Sequence, residues 1–583
     1  MQNMFDPSVI RPPVARRSLM LGGIAAGAAL GLAACGDQKE KAASGQGDTD
    51  LEARGTSGEI EDLVDNNPHD VDELEKGGTL TLTLGNLGPN FNASSNGGNN
   101  ADAAAIQNLL NVTGVWNADT EGNPVLNKDF CTDAKYDDSG DKPVITYTLN
   151  PDAVWNDGTP YDWKTFENQW HMMSGEDPDV DVVATDGYER IAKVEAGKDD
   201  HEVVVTMKEI YQPWEDLFAG TIHPDINTAK IFNDGFVNDI HPEWTAGPFK
   251  LDKLDNAQKR VIFEPNDAWW GEKPVLDSIV YQQMDSDSTI PAFRNGEIDE
   301  ASIGNASRYK EAEDIKEKDV RRSQNLSISG MNFNTKKGNL GDIAVRKAIY
   351  QGLDRKALAD LRFNGMNWTE ELPGSWMLMP FSPYYQDNYP VEYDRDAAKK
   401  TLEDAGWTGE DGKVREKDGK KLEVALTNFG DDPVGNAVAQ TLQKNLTELG
   451  FDAQIDSRGD GDFGKVMEDQ DFELIMMAYG VGPDPTGVVN QFFNSKASSN
   501  FTGTGTDEID EIIPKVPVDE DVEERAKLAN EAEKKFQELY AMMPLYNGPV
   551  VTALKPGLAN YGPQLFEDRD WAKVGWEEGK KQG

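Results

Sequence analysis

The chain runs to 583 residues and carries 57 Lys and Arg against 104 Asp and Glu, a formal charge of −47 at pH 7. A surface this acidic repels phosphate backbones and anionic headgroups, which argues against nucleic acid as a partner and against adsorption to a lipid surface. Two cysteines exclude a disulfide framework, and the length is enough for several domains.

At the start of the chain, Arg11, Arg16 and Arg17 precede an apolar Ala/Gly/Leu-rich run from Leu19 to Leu32. The run is short for a bilayer span, so residues 1–34 read as a signal peptide. Leu32-Ala33-Ala34-Cys35 resembles a bacterial lipobox, which implies cleavage before Cys35 and a lipid on its sulfur. Arg16-Arg17-Ser18-Leu19 resembles a twin-arginine export motif. With Cys35 lipidated, Cys131 stands alone and is expected to be a buried small hydrophobe. Residues 35–75 are polar, acidic and poor in aromatics, the composition of a flexible tether. No later apolar run reaches the ~20 residues of a spanning helix. The body is therefore expected outside the cytoplasmic membrane, held there by its lipid.

The fold is expected to begin at Gly77-Gly78. Thr79 to Leu84 alternates with period two and predicts a half-buried strand. A Gly/Asn-rich loop, 86–100, precedes a helix over Ala103–Leu110. Val144–Leu149 and His201–Met207 predict further strands. Between them, Asp157-Gly158 marks a turn, and Asp162 caps a helix running to Met173. A helix is predicted over Asp342–Phe363, and another starts at Asp394 and stops at Gly406. Leu422, Val424 and Leu426 alternate as a strand. Val438, Leu442, Leu446 and Leu449 then share one helix face, and Phe451, Ala453 and Ile455 alternate again. This is a β-α-β unit, hence a parallel pair with a right-handed crossover. Phe472–Ala478 predicts a buried strand, followed by a Gly/Pro-rich loop from Tyr479 to Pro485. Ligands of open α/β sheets settle just past the carboxyl ends of strands, which points to that loop. Val522–Met542 reads as a long charged helix and Leu545–Leu554 as a closing strand interrupted at Gly548-Pro549.

Signals for catalysis are weak. His69, His171, His201, His223 and His241 form no close pair of the metal-ligand kind, and no nucleophile elbow, CxxC or phosphate-cradling glycine loop occurs. No cofactor, metal or catalytic residue is expected. The aromatics favour binding instead. Trp155, Trp214, Trp244, Trp269, Trp270, Trp376 and Tyr479 lie in expected loops, and such rings suit a cleft gripping an extended ligand as well as they suit a core.

An ordered set of motifs then resembles the family 5 extracellular solute-binding proteins, the peptide receptors of ABC importers. It comprises Leu149 to Trp170 with its Val154-Trp155-Asn156-Asp157-Gly158-Thr159-Pro160 core, Thr245-Ala246-Gly247-Pro248-Phe249, Glu264 to Gly271, Phe293 to Asp299, Asn332-Phe333-Asn334-Thr335, Val345 to Ala348 with Asp354-Arg355, Asp404 to Trp407, and Met543 to Tyr546. The resemblance implies an α/β, three-lobed, periplasmic-binding-protein-like fold. Lobe I would comprise 76–110, 225–330 and 546–583, the inserted lobe 111–224 and lobe III 331–545, with hinges near Asn332 and Tyr546. It implies a cleft using Asn96, Gly97 and Gly98, Asn332 and Asn334, Trp376, and the loop residues Tyr479, Gly480, Val481, Gly482 and Asp484.

In peptide-binding members an Asp of that loop pairs with the ligand's α-ammonium. Here Gly482 takes its place, and a buried ammonium without a carboxylate costs several kcal/mol. The expected function is a lipid-anchored, monomeric receptor that captures peptides or peptide-like solutes for an ABC permease and its ATPase subunits. The alternative comes from the Asn150–Trp155 lead-in and Pro213-Trp214 with Leu217-Phe218. These resemble an actinobacterial lipoprotein subgroup in which some members regulate envelope glycolipid synthesis.

Overall fold

The computed structural model describes residues 60–581, apart from 186, 411, 431, 432, 460, 461 and 498. The leader, its arginines Arg16 and Arg17, and the lipidation site Cys35 lie outside the described residues. Among those described, no helix is long and apolar enough to cross a membrane.

The period-two segment Thr79–Leu84 is a strand with Leu80, Leu82 and Leu84 facing inward. It pairs in parallel with Ser278–Gln283, and Arg260–Pro265 and Phe249–Asp255 complete a four-stranded sheet. A second four-stranded sheet, wholly antiparallel, is formed by Cys131–Asp137, Val144–Leu149, Glu202–Met207 and Ile191–Ala196. Asp162 caps helix Trp163–Met173 as expected, by accepting from the Lys164 N–H, and the helix packs on Ile191–Ala196. The apolar side chains of these two sheets merge into one continuous core, from Leu80 through Tyr147 and Phe218 to Trp576. Cys131 is part of that core. Its thiol donates to the Asp133 carbonyl at 3.2 Å, and burial pushes its pKa up to about 12.

The third sheet has five strands, in the order Asp452–Arg458, Glu423–Phe429, Leu474–Gly480, Ser327–Phe333 and Met542–Tyr546. Its first pair is the expected parallel β-α-β unit, crossed by helix Pro433–Leu449 with Val438, Leu442, Leu446 and Leu449 buried. Ser327–Phe333 runs antiparallel to both of its neighbours.

Several boundaries differ from the expectation, each for a local reason. The predicted helix Asp342–Phe363 is two helices, Ile343–Gly352 and Arg355–Arg362, because the Asp354 side chain turns back to accept from the Ala357 N–H and starts a new one. The closing strand is also two. Met542–Tyr546 belongs to the five-stranded sheet, whereas Pro549–Leu554 joins Glu300–Ser302 and Asp319–Gln324 in a three-stranded sheet. Residues from 60 to 75 are not free tether. Leu63 and Leu74 are buried, the Asp65 N–H donates to the Pro563 carbonyl, and Leu74–Glu75 pairs with Gly575–Glu577. The segment is polar because it docks by hydrogen bonds, which composition does not register.

The chain therefore passes between the three- and five-stranded sheets at Asn325-Leu326 and at Asn547-Gly548. The first crossing precedes Asn332, which lies inside a strand; the second adjoins Tyr546. The crossings touch. The Asn325 N–H donates to the Gly548 carbonyl at 2.9 Å. Asn547, 1% exposed, donates through Nδ2 to the carbonyls of Asn325 (2.6 Å) and Ser327 (3.1 Å). Its Oδ1 accepts from Gln324 Nε2 at 2.7 Å, and its backbone carbonyl accepts from Trp368 Nε1 at 2.9 Å.

Replacing Asn547 with Ala strands buried carbonyls and the Gln324 amide, and should lower unfolding stability by about 2 kcal/mol or more in urea titration. A midpoint unchanged from the native chain would show that this side chain does not tie the crossings.

Candidate functional site

A cavity of about 2710 Å3 lies between the five-stranded sheet on one side and the first two sheets on the other. Its floor is made of small residues. Ser327 pairs with Gly480 and Ser329 with Ala478, and all four line the cavity. Successive side chains on a strand point to opposite faces. Ile328, Met477 and Tyr479 therefore turn away into the core beneath.

That alternation decides the fate of several expected site residues. The strand ends at Gly480, two residues later than predicted, so Tyr479 is a strand residue facing the core and not a loop residue facing the ligand. It is 1% exposed and its hydroxyl accepts from Asn332 Nδ2 at 2.6 Å. Trp376, 0% exposed, stands edge-on to Tyr479 at 5.4 Å and donates from Nε1 to the Met542 carbonyl. Asn334 closes a turn by donating to the Gln470 carbonyl and accepting from the Lys336 N–H. Gly98 is packed on the Asn92 carbonyl, and Val481 is buried. None of Gly98, Asn332, Asn334, Trp376, Tyr479 and Val481 is on the cavity wall; Asn96, Gly97, Gly480, Gly482 and Asp484 are. Of the seven aromatics considered for the cleft, Trp269 alone lines it, whereas Trp116 and Trp571, which were not considered, also do.

Gly480 and Gly482 are not demanded by the backbone. Neither has a positive φ, and an added Cβ would meet nothing within 4 Å at Gly480 and only the Asp484 carbonyl, at 3.8 Å, at Gly482. What these glycines leave is room in the cavity. Asp484 is already committed: Oδ2 pairs with Arg525 at 3.0 Å and Oδ1 accepts from the Thr486 N–H at 2.7 Å.

Other groups on the wall carried no sequence signal. Arg525 donates from Nη1 to the carbonyls of Asp519 and Glu520. Glu215, from the segment Trp214–Asp216, faces the same region, and burial pushes its pKa up to about 7. In so acidic a chain, one more Glu beside a Pro-Trp pair has nothing to distinguish it. Behind the wall, Glu533 is fully buried. It accepts from the Trp376 N–H (2.6 Å), Ser375 Oγ (2.7 Å) and Asn388 Nδ2 (2.8 Å). It thereby anchors the segment that brings Met379, Phe381 and Tyr384 to the cavity, and burial holds its pKa up at about 7.

Among the described residues one group has metal-ligand proximity, Asp157, His223 and Asp225, and it is not on the cavity wall. The Asp225 N–H donates to His223 Nδ1 at 3.1 Å, so the neutral ring carries its proton on Nε2, 3.4 Å from Asp157. A ring protonated there offers no lone pair to a cation, whereas metal-bound imidazoles donate from their other nitrogen. The cluster fixes the Asn156-Asp157-Gly158 turn.

Residues 131–500 match the middle region of the bacterial extracellular solute-binding proteins, family 5. The oligopeptide-binding protein OppA of Mycobacterium tuberculosis is 31% identical over 519 residues, which is 88% of this chain and 87% of OppA. Two solved structures share the α/β architecture. The periplasmic EDTA-binding protein EppA superposes with a TM-score of 0.79 at 24% identity, across 88% of this chain and 99% of EppA. The oligopeptide-binding protein AppA of Bacillus subtilis, in complex with a nonapeptide, gives 0.70 at 21% identity, across 86% and 99%. The periplasmic-binding-protein-like fold expected from the sequence is the one found.

Two outcomes follow from this geometry. Gly480→Ala and Gly482→Ala should each leave the melting temperature unchanged within ~1 °C, since neither position needs glycine; a loss above about 1 kcal/mol would assign them a backbone role. Glu533 has a folded pKa of about 7 against an ordinary 4.5, so the fold holds the protonated form better. Its contribution is full below pH 4.5 and declines as pH rises through 7, by at most about 3 kcal/mol. Urea titrations at pH 5 and pH 8 should show a smaller difference in Glu533→Gln than in the native chain. Equal differences would remove Glu533 from the pH dependence.

Proposed function

Because the chain belongs to the family 5 bacterial extracellular solute-binding proteins, a family of binding proteins and not of enzymes, we propose that it captures a peptide or peptide-like solute outside the cytoplasmic membrane and presents it to an ABC permease. ATP hydrolysis is then the work of partner subunits in trans. The observation that carries this reading is the cavity. At about 2710 Å3 it exceeds the roughly 300–1,000 Å3 typical of small-molecule sites, and its Ser327, Ser329, Ala478 and Gly480 floor leaves an unobstructed bed for an extended ligand. The similarity to OppA over most of both chains supports the same class of solute.

In this reading residues 1–34 direct export, with Arg16 and Arg17 as a twin-arginine signal, and Cys35 carries the lipid that keeps the protein at the outer face of the membrane. The residues between Cys35 and the docked segment at 60 give the anchored body its reach. The protein works as a monomer, and the cavity opens and closes about the paired crossings at Asn325 and Asn547.

The decisive experiment is native mass spectrometry of the body from residue 36, followed by denaturation to release and identify what it carries. A ladder of short peptides is the expected passenger. A glycolipid would favour the alternative reading, a regulator of envelope glycolipid synthesis. An empty cavity that no peptide library stabilises against heat would overturn the receptor reading.

A further inference from the structure

The cavity wall carries a half-buried carboxyl group, Glu215, that no cation of the protein pairs with among the described residues. Glu215, in the turn that follows the second sheet, lies near Asp484 and Arg525, which stand beside the five-stranded sheet. Arg525 is 8% exposed, and its charge is spent on Asp484 through Nη2 and on two backbone carbonyls through Nη1. Both Asp484 oxygens are taken. Glu215 makes no ion pair among the described residues. Burial acts on it more strongly than the nearby guanidinium does, hence a carboxyl that titrates near neutrality. A partly buried carboxylate without a counter-ion is an unfavourable arrangement unless something else supplies the cation.

The position of Glu215 is fixed from behind. Trp214 stacks on Tyr136 of the second sheet at 5.7 Å and meets Trp116 edge-on at 5.4 Å, which anchors the turn. From the other side, the Gln212 N–H donates to the Pro517 carbonyl at 3.0 Å, so this turn touches the half of the molecule that bears Arg525. Glu215 thus lines the cavity without an ion-pair partner among the described residues, in the same cavity as the room left at Gly482.

We propose that Glu215 is the cation subsite of this cavity, holding a positively charged nitrogen of the ligand. The assignment rests on the receptor reading given above and names the group its solute must carry. It also makes Gly482 intelligible: the counter-charge enters from the opposite wall, and the loop is left clear. A ligand so held bridges the two halves of the molecule, which favours the closed arrangement when the subsite is filled.

The test uses isothermal titration calorimetry on the body from residue 36, freed of passenger, with peptides in three forms. One has a free amino terminus and no charged side chain, one is the same peptide N-acetylated, and one is acetylated but carries an internal lysine. The native protein should bind at least one cationic form tenfold or more tighter than the neutral form, and which one distinguishes a terminal ammonium from a side-chain one. Glu215→Gln should abolish that preference, and Glu215→Asp, which keeps the charge, should retain most of it. The retained preference in Glu215→Asp guards against a variant that merely folds badly, as does an unchanged circular dichroism melt. Equal binding of charged and neutral peptides by the native protein, or a preference that survives Glu215→Gln, overturns the subsite and leaves the peptide reading standing. Failure to bind any of the three overturns both.

Discussion

The architecture depends on how two distant stretches of chain pass between its sheets side by side. Asn325 and Asn547 are far apart in sequence, yet one buried amide holds both crossings through three side-chain hydrogen bonds. Each such bond contributes on the order of 1 kcal/mol net, but leaving the carbonyls and the Gln324 amide buried and unpaired costs more, so the arrangement is close to all-or-none. The crossings are reinforced nearby. Arg322, in the strand leading to the first one, forms a buried ion pair with Glu370 at 2.5 Å, and the Arg322 N–H is held by Asp65. A buried pair of this kind adds little net stability but strongly penalises separation of its partners.

The cavity follows from this. The first two sheets share one apolar core, so they cannot shift against each other without breaking close packing. One cluster, around Leu442, packs the five-stranded sheet with the three-stranded one, and another, around Phe536, lies beneath the five-stranded sheet. The five-stranded sheet and the first two sheets are thus packed about separate cores, and the cavity is the gap between their facing surfaces. The small residues on the five-stranded side set its floor, and Glu533 braces the segment behind it.

Much of this was legible in the sequence, and the failures have a common cause. Period-two and helical spacings located Thr79–Leu84, Val144–Leu149 and the unit from Leu422 to Ile455, because one-sided burial writes itself directly into alternation. Caps such as Asp162 were legible because their chemistry is local. What depended on register was not. A strand ending at Gly480 instead of Ala478 moves Tyr479 from the ligand to the core and leaves Gly480 facing the cavity. Asp354 cut a helix whose apolar spacing continued unbroken, since capping and periodicity compete and periodicity cannot see the hydrogen bond. Asn96 and Gly97 were anticipated on the wall through the family resemblance, and Gly480, Gly482 and Asp484 through both that resemblance and their place just past a strand's carboxyl end. Glu215 was not, because its significance lies in which neighbouring charges are already matched, a property of assembled structure and absent from any local pattern.

The docking of residues 60–75 sets the path along which force travels through the molecule. A pull applied to the chain ahead of Leu63 is met at the Asp65–Pro563 backbone contact and then by the antiparallel pairing of Leu74–Glu75 with Gly575–Glu577, beside the first sheet. Neither contact lies in the five-stranded sheet. Tension or drag on the amino-terminal side is therefore borne by the half of the protein that holds both ends of the folded chain. The five-stranded sheet, which carries the cavity floor, lies outside those contacts, so a load on the amino-terminal side is taken up before it reaches the floor.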